Sequence, residues 1–142
     1  MRWAKDYFNE IRKTAKRAQK LKGIIEYGLI RSGSGGTHSG GISDSTAREA
    51  AAVMAAEGKL EQCRADINTA RVIIRGIGRS FPHDWQIIEG YYLRCLSWSQ
   101  VARELGMPKS TAHAKALIML SFADSQGMAR LKEHGKKMLK EF

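Results

Sequence analysis

Apolar positions set the first prediction. Ala4, Phe8, Ile11, Ala15, Ala18, Ile25 and Leu29 follow an alternating four-three spacing, interrupted only where Lys22 stands beside Leu21. Such spacing gathers side chains into one stripe, so residues 1–31 are expected to form a single helix with a heptad-like seam. The spacing returns at Leu60, Cys63, Ile67, Ala70, Ile74 and Ile77, downstream of the alanine-rich run EAAAVMAAEG. With Ser43, Asp44 and Ser45 offering capping oxygens, this predicts a second long helix ending near Arg75. Between the two lies SGSGGTHSGGIS, residues 32–43, with five glycines and four serines. A stretch of that composition neither buries a core nor sustains a helix, and is expected to be a flexible connector. Two seamed helices on one connector make a coiled-coil-like hairpin. A seam that one partner helix cannot cover recruits a second copy, so a homodimer is expected.

Gly76, Gly78, Ser80 and Pro82 are expected to end the hairpin and open a C-terminal module. Trp85, Ile88, Tyr91 or Tyr92, and Leu93 recur at three-to-four spacing, which predicts a helix with Pro82 near its first turn. Ser97 followed by Gln100 is a capping box, with Leu96 and Val101 as its apolar staple, and it should start a short helix over 98–105. Val101, Ala102 and Leu105 then face inward while Arg103 and Glu104 stay wet. Gly106 supplies the positive φ that ends this helix, and Pro108 opens the next, running to about Phe122. Two helices joined by a short glycine-containing turn are the helix-turn-helix layout, in which the second helix enters the major groove. The expected fold is therefore all-α. A hairpin and dimerisation region spans 1–79, a helix-turn-helix domain 80–127 and a basic C-terminal helix 128–142.

Charge adds a partner class. The chain of 142 residues carries 24 Lys plus Arg against 14 Asp plus Glu, a formal charge of +10. Such an excess is the footprint of a polyanion binder. It is unevenly placed: 1–31 hold nine basic and three acidic groups, 32–81 six and five, 82–127 four and four, 128–142 five and two. Phosphate contacts are accordingly expected from the face of the first helix bearing Arg12, Lys13, Lys16, Arg17 and Lys20. The tail residues Arg130, Lys132, Lys136, Lys137 and Lys140 are expected to add to them.

The phrase YYLRCLSWSQVARELGMPKSTAHAKALIML resembles the helix-turn-helix of region 4 of bacterial sigma factors. The layout of residues 43–122, beginning with SDSTAREAA, is similar to phage late-gene transcriptional regulators of the ArpU and RinA type. The resemblance implies sequence-specific double-stranded DNA binding near promoters of phage late or packaging genes. It implies that Lys109, Ser110, Thr111, His113 and Ala114 face the groove, with Lys115 on the same helix. Ser97 and Arg103 of the first helix would lie against the backbone. The chain departs from the family in having Lys115 where an apolar residue is usual, and Ala112, Ala114 and Ala116 where arginines are usual.

Other chemistry finds little footing. The Gly-rich stretch lacks the Gly-Lys-Ser/Thr and the preceding strand of a phosphate-binding loop. His38, His83, His113 and His134 are scattered and no Cys-x-x-Cys exists, so neither a metal nor a cofactor is expected. Cys63 and Cys95 read as reduced, buried thiols. No acid pair or base-activated serine stands out, so the chain is not expected to be an enzyme. No window of 18 apolar residues and no signal peptide are present, so a cytoplasmic protein of a bacterial host, without membrane contact, is expected. Two rival readings remain open. One is the small subunit of a phage terminase, which would form rings of eight or more copies; the other is a sigma-like protein that binds RNA polymerase.

Overall fold

The computed structural model describes residues 2–34 and 44–140. Among the described residues there is no strand, and the fold is all-α. Helix α1 spans Ala4–Ser34, α2 Asp44–Gly78 and α3 Trp85–Ile88, the last continuing into a π-helical segment, Glu89–Leu93. Helices α4 (Trp98–Leu105), α5 (Lys109–Gln126) and α6 (Met128–Lys140) complete the chain. They divide into two compact units, Met1–Ala15 with Asp66–Phe142, and Lys16–Ala65. Both long helices therefore contribute to both units.

The larger unit has a dense core, in which Phe8, Ile73, Ile74, Ile77, Ile87, Ile88, Val101, Met119 and Leu131 are fully buried. Aromatic rings lead into it from the start of α1: Trp3 meets Tyr7, Tyr7 meets Phe8, and Phe8 meets Tyr92, at centroid separations of 5.9, 5.2 and 5.5 Å. Burial pushes the hydroxyls of Tyr7 and Tyr92 up to about 12. The first turn of α1 is capped from far along the chain. The backbone N–H groups of Trp3 and Ala4 both donate to Asp124 Oδ1 of α5 at 2.8 Å. A carboxylate there satisfies two orphan donors and faces the positive end of the helix dipole.

One expectation is corrected in this unit. Gly76 does not end the second helix, which runs past Arg75 and Gly76 and stops at Gly78. A Cβ on Gly76 would meet the backbone carbonyl of Leu131, and one on Gly135 would meet that of Val72. The glycines thus let the backbones of α2 and α6 touch, in an antiparallel register that pairs 76 with 131 and 72 with 135. The absent side chain of Gly78 similarly admits Trp85, over whose ring the Arg75 guanidinium sits at 3.9 Å. Pro82 lies near the first turn of α3 as expected, in the turn directly ahead of it.

Among the described side chains of the smaller unit, Ala18, Leu21, Ala56, Leu60 and Cys63 are buried. Leu21 carries the seam past the exposed Lys22, and Ile25 is only half-buried. Leu29 falls outside the described side chains. Ile24, Tyr27 and Met54 stand exposed, at 50%, 65% and 71%. Of the expected connector, residues 32–34 belong to α1, because an established helix extends into glycine at a cost of only about 1 kcal/mol. Residues 35–43, Ser43 of the expected cap included, lie outside the described residues.

Candidate nucleic-acid interface

The helix pair α4 and α5 is built by local chemistry. Ser97 Oγ accepts from the Gln100 N–H at 3.1 Å, while Gln100 Oε1 accepts from the Ser97 N–H at 2.9 Å, closing the capping box. At the other end Gly106 adopts φ 66° and ψ 38°. Met107 N–H then donates to Ala102 O at 3.0 Å and Gly106 N–H to Arg103 O at 3.4 Å, a Schellman termination. Pro108, extended at φ −64° and ψ 148°, accepts from Ala112 N–H and starts α5 after a three-residue turn. Val101 and Ala102 of α4 share one core with Ala112, Ala116, Met119 and Leu120 of α5. The small side chains at 102, 112 and 116 leave only short stems at this seam.

Helix α5 buries one stripe and opens another. Lys109, Ser110, His113, Ala114, Leu117 and Ile118 are exposed, whereas Thr111 is half-buried. Lys115 is also half-buried and its ammonium lies 3.2 Å from Asp84 Oδ1, so its charge is already matched within the protein. Arg103 and Ser97 of the first helix are exposed. Beside Arg103, Glu104 takes both guanidinium nitrogens of Arg94, at 2.7 and 3.0 Å. These hydrogen bonds hold the Glu104 carboxyl below its ordinary range and raise the guanidinium of Arg94.

A stack of rings runs beneath this surface. The Arg12 guanidinium sits 4.0 Å over Tyr91, Tyr91 stacks on Trp98 at 3.8 Å and 10°, and Trp98 meets the His113 ring edge-on at 5.2 Å. Arg12 Nε donates to Tyr91 O at 3.1 Å and a second guanidinium nitrogen to Leu96 O at 3.4 Å. Arg12, expected on the solvated basic face, is therefore a clamp between α1 and the helix pair. Its placement depends on the π-helical segment. The widened turn buries Tyr92, sets Tyr91 outward against Arg12, and brings Gly90 against Val101, to which a Cβ would approach within 3.2 Å of Cγ2. Cys95 leaves this segment with φ 58° and its thiol is near the Arg12 carbonyl, 3.8 Å away.

The remaining basic residues of α1 do not all belong to one body. Lys13 lies in the larger unit, exposed, and pairs with Glu10 at 3.1 Å. Lys16, Arg17 and Lys20 lie in the smaller unit and are exposed there. On α6, Arg130, Lys136 and Lys137 are exposed and Lys132 is half-buried, while the side chain of Lys140 falls outside the described ones. No three His, Cys, Asp or Glu gather into a metal-binding group among the described residues, and no described helix is long and apolar enough to cross a membrane.

Compared with known proteins, the chain matches no family model, no curated protein and no solved structure. Sequence reasoning missed Arg12, Tyr91 and Trp98 as a unit, and Asp124 as a cap. The capping box marks Trp98 as a first-turn residue, but nothing local to Arg12 or Asp124 signals a partner some 80 or 120 positions away.

Proposed function

We propose that the chain is a helix-turn-helix protein that binds double-stranded DNA and regulates transcription. The observation that carries this reading is the open face over the first two turns of α5, where Lys109, Ser110 and His113 stand side by side on a helix that Trp98 braces from below. In the major groove Lys109 donates to guanine O6 or N7, and Ser110 reaches a base edge or phosphate. Ser97 and Arg103 meet the backbone, and Lys13, Lys16, Arg17 and Lys20 add phosphate contacts. Two copies, joined where Ile24, Tyr27 and Met54 are exposed, present two recognition helices to paired half-sites. The resemblance noted above points to phage late or packaging genes and to the cytoplasm of a bacterial host.

A second reading has one specific support. Leu117 and Ile118, 46% and 59% exposed, continue the same face of α5, and apolar side chains there suit a protein partner such as RNA polymerase. Duplex titration separates the two. DNA binding predicts a steep loss of affinity with salt, whereas a polymerase-binding module gives no duplex affinity to lose. Within the first reading, Lys109→Ala costs about 1–3 kcal/mol on a cognate site and much less on random duplex. Equal losses on both remove Lys109 from base reading. A solution mass of two copies supports the regulator, and a ring of eight or more supports the terminase reading.

A further inference from the structure

We propose that Arg79, just past the end of α2, and Arg130, His134 and Lys137 on one flank of α6 form a second phosphate-binding surface, separate from α5, that grips the backbone of a DNA duplex. The inference rests on the duplex-binding reading and deepens it: of the tail cations expected to meet phosphate it selects Arg130 and Lys137, and it groups them with Arg79 beyond α2 and with His134.

The placement follows from the crossing of α2 and α6. With 76 against 131 and 72 against 135, the antiparallel register carries the end of α2 toward the start of α6, and so Arg79 toward Arg130. Residues 130, 134 and 137 follow i, i+4, i+7 spacing and share one flank of α6, beside the buried seam of Leu131 and Gly135. Backbone contact at both glycines and the full burial of Leu131 fix that flank relative to α2. Among the described residues neither Arg79 nor Arg130 has an ion-pair partner. Glu133 is the acid beside the group, and it stands 3.9 Å from Lys137 with both side chains about two-thirds exposed, a loose tether. Three cations held together against this one loosely tethered acid repel one another, and an incoming anion relieves that repulsion. From 130 to 137 the flank extends about 10 Å, a length suited to a polymeric phosphate chain and not to one small anion.

His134 senses the same field. Partial burial, then Arg79 and Arg130, and more weakly Lys137, hold its imidazole below the ordinary histidine range, with Glu133 opposing. At neutral pH the ring is therefore uncharged. Phosphates docked on the surrounding cations reverse the local potential, so the ring takes up a proton more readily in the complex.

The test uses the full chain and a duplex of mixed sequence. Wild-type affinity is measured across about 50–200 mM salt alongside Arg79→Gln/Arg130→Gln/Lys137→Gln, and the His134 titration is followed by NMR with and without duplex. The expected result is a salt slope shallower by about 2–3 in the triple variant and an upward shift of the His134 midpoint in the wild-type complex. The matching variant, Arg79→Lys/Arg130→Lys, retains the slope. Circular dichroism and thermal melting report whether the Gln variant keeps its fold; if it does not, the His134 shift in wild type decides. Duplex binding with an unchanged slope and an unmoved His134 overturns this surface and leaves the α5 reading standing. A His134 response to anionic phospholipid vesicles but not to duplex also overturns it. Absence of duplex binding by the wild type overturns both readings.

Discussion

The two units use the same helices differently. In the larger one, α1 brings aromatic rings and α2 brings isoleucines and backbone-exposing glycines to a shared core. In the smaller one, the described side chains that the same two helices bury are alanines, leucines and a cysteine, and Ile24, Tyr27 and Met54 stand in solvent. The seam has one period throughout, so periodicity states which residues turn inward and not what waits there. A helix that finds only one neighbour keeps apolar surface to spare, whereas one that meets a folded module loses nearly all of it.

Glycine substitutions separate the units most sharply. Gly135→Val drives a side chain into the Val72 backbone, and a loss of about 3 kcal/mol or more is expected in chemical denaturation. Gly58→Ala, also in a helix but with nothing within 4 Å of the added carbon, gains about 0.5–1 kcal/mol. The same sign for both substitutions contradicts the contrast.

Removing the distant cap of α1 comes next. Asp124→Ala leaves the Trp3 and Ala4 N–H groups without their acceptor and costs about 1–2 kcal/mol, whereas Asp124→Asn retains much of it. Full recovery by alanine shows that water caps the helix as well as the carboxylate does.

The smallest effect is on pH dependence. Tyr7 and Tyr92 have folded values raised above the ordinary 10, to about 12. Their contribution is fully present below the unfolded value and is lost as pH rises toward and through the folded one. Stability should thus decline between about pH 10 and 12, and Tyr92→Phe should lessen that decline. A Tyr92 ring that ionises near 10 in an absorbance titration contradicts the packing described around Phe8.

What the sequence reveals here depends on distance along the chain. The capping box, the positive φ of Gly106 and the bracket of α4 are set by residues a few positions apart, and they read directly from Ser97, Gln100 and Gly106. The all-α class follows from periodicity alone. Contacts across the fold give no local sign. Arg12 has the same neighbours as Lys13 and Lys16 and looks like another solvated cation, yet Tyr91 and Leu96 carbonyls hold it. Gly76 looks like a breaker because glycine disfavours helix, and the gain from close approach to α6 outweighs that preference. Lys115 looks like a groove contact until Asp84 is seen beside it. The π-helical widening is invisible to a pattern that assumes a constant 3.6-residue turn.

The claim that the open turns of α5 read a duplex is tested most directly by selecting bound sequences from a randomised duplex pool with the full chain. The account predicts enrichment of a defined motif by the wild-type protein, and degradation of that motif at specific positions by Lys109→Ala and His113→Ala. A pool that emerges without a motif, or the same motif from all three proteins, contradicts it.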